Sequence, residues 1–523
     1  MIPSTAEQMI PTMSSIPISS YLRDMEKIQI DLMNLNYRLF LAFILSGLLF
    51  SCQSATDAFP ERVDKKAETL KMEILSSKDQ IRYSGTAYYV SSSKGSDEND
   101  GLSPEHPIKT LDKVSSLDLQ SGDAVLFLRG DIFRGHVKTK TGCTYAAYGE
   151  GEKPRIYGSP FNAASTGSWT LTDAEHVWVY SEKLFNDVGT LVLDDAQAAM
   201  KVMMVRMEDG STTHIETHRP FSSYRDLDRD LDFYHDYKGT GNIYLYSTKG
   251  NPADRFSSIE VLEKGNIIQA VNDVCIDNLT IMYGGAHGIG AGTVTSLEVT
   301  NCILGWIGGS IQAENLFGRN HPTRYGNAIE IYGGCGHYVV DHCWIYQAYD
   351  AGITHQYSNG GDQDIIMTDV TYSDNLVEDC VYAIEYFLGQ ADNDQATRYM
   401  EHILFKDNIL RRSGFGWGSQ RPDKETPALL KSWSHWNKAS DFIVEGNIFD
   451  RCTHHLLNVA ASEKEWLPHF QGNQYIQEYG ALAGQMGTDN KSYVFNEDVI
   501  PLLEDLYGET QAEVTFLNPS SAQ

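Results

Sequence analysis

Asn327 to Tyr357 run NAIEIYGGCGHYVVDHCWIYQAYDAGITHQY. The stretch holds two near-copies of one unit, Asn327-Ala328-Ile329-Glu330 and Ala351-Gly352-Ile353-Thr354, with Val339-Val340-Asp341-His342-Cys343-Trp344-Ile345 between them. Each copy is a small-residue turn, an Ile and then a polar residue. An extended apolar segment, a bend and a second extended segment therefore repeat, and the apolar/polar alternation is that of strands with one face in a core.

Working outward, the intervening unit returns as Val299–Leu304, Val340–Ile345, Tyr372–Val377, Phe405–Leu410 and Val444–Phe449. The spacing is irregular, roughly 30 to 40 residues, inside the range of repeat architectures. No single unit can bury its own apolar face, so the units must stack. Stacking brings Asn375, Asn408 and Asn447 into register, where side-chain amides bond along the pile, and gives Cys302 and Cys343 the same rung position. The expected fold is all-β, a parallel β-helix. A β-propeller would need regular four-stranded blades.

The strand after each second bend aligns as Ile329-Glu330, Ile353-Thr354, Ile384-Glu385, Leu430-Lys431 and Leu457-Asn458. If the apolar member points inward, its neighbour points out, which stacks Glu330, Thr354, Glu385, Lys431 and Asn458 on one face about 4.8 Å apart. Asp350, at the bend before Ala351, adds a third carboxylate, although an Asp there also suits turn chemistry. Paired carboxylates are what glycoside hydrolysis requires, one giving a proton to the leaving oxygen and one acting as base or nucleophile. Glu330, Asp350 and Glu385 are the catalytic candidates. Arg319, His321 and Arg324, in a long insertion just before Glu330, are candidate substrate contacts, as are His355, Gln356, Trp417, Lys431 and Trp433; Trp436, Tyr332 and Tyr386 are further aromatic candidates.

Composition narrows the partners. The chain has 523 residues and a formal charge of −29, which disfavours nucleic acid and anionic membrane surfaces. Beyond Cys52 the seven cysteines form no CxxC pair and no metal spacing. No cofactor is expected; Ca²⁺ at Asp362, Asp364 or Asp374, or at the acidic turn Asp97–Asp100, has no standard loop spacing behind it.

Residues 1–52 form a leader in which Arg38 precedes a short apolar run ending Leu49-Phe50-Ser51-Cys52. The run is too short to span a bilayer and resembles a bacterial lipobox, which implies export and lipidation at Cys52; a plain secretory signal is the alternative. The expected organisation continues with a polar tether (53–83), an N-terminal cap and first coils (84–190), an inserted small β module (191–263), the main β-helix with its groove (264–480) and a C-terminal cap (481–523).

Gly326-Asn327-Ala328-Ile329-Glu330-Ile331, followed one coil later by Tyr349-Asp350-Ala351-Gly352-Ile353-Thr354-His355-Gln356, resembles bacterial right-handed parallel β-helix carbohydrate-active proteins of the pectate-lyase-like superfamily. The nearest resemblance is to β-helix glycoside hydrolases with fucosidase or xylan-cleaving members. It implies a right-handed solenoid with an N-terminal capping helix, and a catalytic Glu and Asp on neighbouring coils that map onto Glu330 and Asp350. Ala328 stands where those proteins have Gly. The expected function is a cell-surface glycoside hydrolase acting on a plant or algal polysaccharide or oligosaccharide, monomeric and lipid-anchored at the outer membrane or in the periplasm of a Gram-negative bacterium. A polysaccharide lyase or uronate epimerase, centred on Lys431, Arg319, Arg324 and His355, is the alternative; a non-catalytic glycan-binding solenoid is the second.

Overall fold

A computed structural model describes residues 58–79, 82–215, 217–314, 321–358, 360–393, 395–421 and 426–518. Cys52 and Arg319 lie outside the described residues. Three ten-stranded sheets run along the chain, each drawing one strand from nearly every coil. Consecutive coils pair in parallel, and this is the expected β-helix, wound in the right-handed sense that parallel crossovers adopt.

Register is set by like stacking on like. In the sheet that carries the polar column, Ile289, Ile329, Ile353, Ile384, Leu430 and Leu457 are successive partners, and all are buried in the solenoid core. A slip of one residue would turn that stack to the outside, so the apolar column pins every rung. At the corner between the other two sheets the asparagines form a directional ladder. Asn375 Nδ2 donates to Asn408 Oδ1 (2.9 Å), Asn408 to Asn447 (2.9 Å) and Asn447 to Asn473 (3.1 Å). Because every amide donates the same way, the last donor needs an acceptor, and Asn473 gives its proton to buried Glu509 (2.9 Å). The residues before the ladder positions, Asp374, Asp407, Gly446 and Gly472, all take positive φ, which Asp tolerates better than most residues and Gly adopts freely.

Both ends of the core are plugged. A short helix, Leu111–Ser115, is capped by the Thr110 side chain and turns Leu111 and Val114 into the first coils. Asp97 in the acidic turn accepts from the backbone N–H groups of Lys109 and Thr110, so its carboxylate serves the cap. At the far end Val499–Tyr507 buries Val499, Leu503 and Tyr507 in the same core.

The segment expected to be a polar tether is a 19-residue helix, Ala58–Ser76. Val63 and Ala67 pack on the outward faces of Leu376, Ile409, Ile448 and Ile476. Its charged residues, which suggested a tether, face the rim: Asp64 pairs with Arg411, and Lys71 lies 3.4 Å from Glu378 and over the Trp344 ring. The antiparallel module also starts earlier than Leu191. Its five-stranded sheet takes in Trp169–Leu171 and Val177–Tyr180, around a separate core that includes Trp169, Phe233 and Leu245. A buried ion pair joins it to the solenoid: Lys201 Nζ donates to Asp187, whose Oδ2 accepts the Ile311 N–H at 2.6 Å. Ile311 opens the hairpin Ile311–Ala313/Thr323–Arg324 that leads to Glu330.

Candidate active site

The polar column stands in the expected register. Glu330 pairs with Thr354, Thr354 with Glu385, Glu385 with Lys431, Lys431 with Asn458 and Asn458 with Gln485. It is not an open face. Glu330 is 8% exposed, and the other column residues through Asn458 are no more so, so the column is largely covered; Lys431 and Asn458 at its far end line a cleft.

Burying a carboxylate is costly unless it is hydrogen-bonded, and Glu330 is held from three sides. Asn327 Nδ2 and Gln356 Nε2 both donate to Oε2, the latter at 2.8 Å. His287 Nε2 lies 3.4 Å from Oε1. The His287 tautomer follows from its other nitrogen: Nδ1 accepts the Asn327 backbone N–H at 3.0 Å, which leaves the proton of the neutral ring on Nε2, facing the carboxylate. Asn327 thus orients both groups, and its Oδ1 accepts the Ala351 N–H (2.8 Å), tying this rung to the bend that carries Asp350.

Asp350 is buried at that bend, with Oδ1 2.6 Å from Arg421 Nη1. Tyr325 lies beside the His287 ring. Burial pushes its hydroxyl pKa up, and the negative charges of Glu330 and Asp350 add to the shift. Glu330 and Asp350 are on neighbouring coils, offset along the strand. Glu330 and Glu385 are two rungs apart, about 10 Å at the strand spacing.

Several expected contacts fall elsewhere. His355 follows an outward Thr354 and therefore points inward, where Nδ1 meets the Tyr372 hydroxyl at 2.8 Å; Tyr386, its partner on the next rung, is inward for the same reason. Arg324 is buried, Nε and Nη2 donating to the Gly309 and Gly189 carbonyls, with its guanidinium over the Tyr349 ring. Trp417 packs on Tyr349 and donates Nε1–H to the Gln347 carbonyl (2.7 Å). Its indole supports the bend instead of offering a platform. His321 is half-buried with Nδ1 beside the Pro322 carbonyl, and Trp436 packs on Trp466. Gln356 reaches Glu330, and Lys431 and Trp433 do border the cleft, Trp433 near Phe387 and Lys431 over the Tyr382 ring.

His287, Asn327, Tyr325 and Arg421 were not among the expected residues. For His287 a signal existed. Ala286-His287-Gly288-Ile289-Gly290 is the same unit one rung earlier, and the pairing of Ile289 with Ile329 sets His287 beside Asn327. Arg421 comes from 71 positions beyond Asp350, with no local pattern to announce it.

Fold and site together define a parallel β-helix protein with buried carboxylates in a polar column along one of its sheets. No family model matches the chain. It is 41% identical to the lacto-N-biosidase of Bifidobacterium longum subsp. longum over 80 residues, which are 13% of this chain and 5% of that protein. Among solved structures it is similar to a glycoside hydrolase (TM-score 0.32, 10% identity, 78% of this chain and 97% of that one). It is also similar to the GH136 lacto-N-biosidase from Eubacterium ramulus (TM-score 0.28, 11% identity, 87% and 70%). These likenesses are too distant to bear on chemistry.

Proposed function

We propose that the protein is a glycoside hydrolase acting on a polysaccharide or oligosaccharide, with Glu330 and Asp350 as its carboxyl pair. The observation that carries this is the pair of buried carboxylates on neighbouring coils, Glu330 held by Asn327, Gln356 and His287 and Asp350 held by Arg421. In hydrolysis one carboxyl protonates the glycosidic oxygen as the anomeric C–O bond breaks. The other carboxylate takes a proton from the incoming water, or attacks first and is then released by it. Glu330 and Asp350 divide these two roles between them, Asp350 held by Arg421 and Glu330 by the side chains of Asn327, Gln356 and His287. Glu385, two rungs from Glu330, contacts sugar hydroxyls.

The test measures reducing ends and ultraviolet absorbance together, on neutral and uronate-containing polysaccharides, for the wild type and for Glu330→Gln, Asp350→Asn and Glu385→Gln. Turnover is expected to fall by about 10² to 10⁴-fold in the first two variants and less in the third. Absorbance from an unsaturated uronate, in place of simple hydrolysis, would overturn the assignment in favour of a lyase. No reaction on any substrate would favour a glycan-binding solenoid.

A further inference from the structure

Beyond the carboxylates, in the direction of stacking, the column changes chemistry. Lys431, Asn458 and Gln485 succeed Glu385 in the column and, with Trp433, His435 and Asn490, line a cleft of about 390 Å³. Of the 70 acidic residues in the chain, none lines this cleft among the described residues. Trp433 is 42% exposed, on the same flank as Phe387. An aromatic face beside side-chain amides offers one surface for the C–H face of a sugar ring and donors and acceptors for its hydroxyls.

We propose that this cleft is a distal sugar-binding subsite, taking a ring on Trp433 with its hydroxyls on Asn458, Gln485 and Asn490. The proposal rests on the hydrolase reading of the same polar column and narrows its substrate. Lys431 is three rungs from Glu330 and Gln485 is five, about 14 and 24 Å at the strand spacing. A glycan engaging both regions must extend over several rings along the solenoid axis, so the enzyme acts on chains longer than a disaccharide. Binding energy gained far from the reacting bond is what makes truncated substrates poor.

The experiment uses the full chain and size-graded neutral oligosaccharides, from disaccharide to hexasaccharide, prepared from plant and milk-type glycans. Calorimetric affinity is measured in the Glu330→Gln background, and reducing-end kinetics in the otherwise wild-type chain. Affinity should rise with chain length, and Trp433→Ala should weaken binding of the long chains about tenfold and collapse the long-to-short ratio of kcat/KM. Gln485→Ala, a smaller change at the edge of the cleft, should reduce the same ratio and guards against misfolding of the first variant. Length-dependent binding that Trp433→Ala removes, with no hydrolysis by the wild type, would retain the subsite while ending the hydrolase reading. Length dependence that survives both substitutions, or no binding at any length, would overturn the subsite.

Discussion

His355 enters the core directly after the outward-facing Thr354, and its ring lies parallel to that of Tyr386, 6.1 Å away. Burial pushes its pKa down, from 6.5 to about 3; its ring neighbours are Tyr372, Tyr386 and Phe405. The unfolded chain therefore binds a proton here that the folded chain refuses. Stability is fully present above pH 6.5 and falls as the pH drops from 6.5 toward about 3. His235 and His455, held near 4 and 3 by burial, act in the same direction. His355→Phe should flatten this acid loss without abolishing it, as read from unfolding midpoints across that window. An unchanged slope would mean that the imidazole is not kept neutral by the core. The same residue shows how the parity of a strand sorts a candidate site: Gln356, two positions beyond Thr354, reaches Glu330, whereas His355, one position beyond, cannot. Alternation was visible in the sequence, and applying it one residue further would have removed His355 from the groove.

The helix Ala58–Ser76 spans about 28 Å at 1.5 Å per residue, close to six rungs at 4.8 Å. Its buried Val63 and Ala67 cover Leu376, Ile409 and Ile448, side chains on the outer face of a sheet that would otherwise form an apolar stripe along the solenoid. The stripe explains why a mostly charged helix docks at all. Val63, Ala67, Leu70 and Ile74 carry the helical period in the sequence, but the surrounding charge gives the segment the composition of a linker, and composition masked the period. Strand register was legible because each apolar residue stacks on its own kind; docking was not, because the outward Leu376, Ile409 and Ile448 lie far away in sequence. Ala67→Glu places a charge in a fully buried position and should release the helix at a cost of about 1–3 kcal/mol. Hydrogen exchange should then show lost protection across 58–76 while the core strands keep theirs. Protection retained across the helix would show that its rim ion pairs, such as Asp64 to Arg411, suffice to hold it.

At the scale of the molecule, a solenoid is held by contacts between neighbouring coils, so its stability is approximately a sum of local terms and its ends are the weak points. The two end helices answer this, and Glu330 sits on a middle coil, with further coils on either side. The polar column was legible because it is a consequence of stacking: one polar residue per coil becomes a column without any long-range contact being known. The residues that complete the site, Arg421 above all, arrive on connections between coils, whose paths no repeat dictates. The local character of the energetics also sets an expectation for unfolding. Leu503 is fully buried in the C-terminal helix, and Leu503→Ala removes packing worth about 2–5 kcal/mol. The loss should be felt first by the coils it covers. Amide exchange should accelerate in the strand Leu482–Gly487, the last to pair in parallel on the groove sheet, while Ile329–Tyr332, several coils away, stays protected. If exchange rose equally along the whole ladder, the solenoid would be unfolding as a single unit, and the end helices would stabilise the Glu330 rung as much as the rungs they touch.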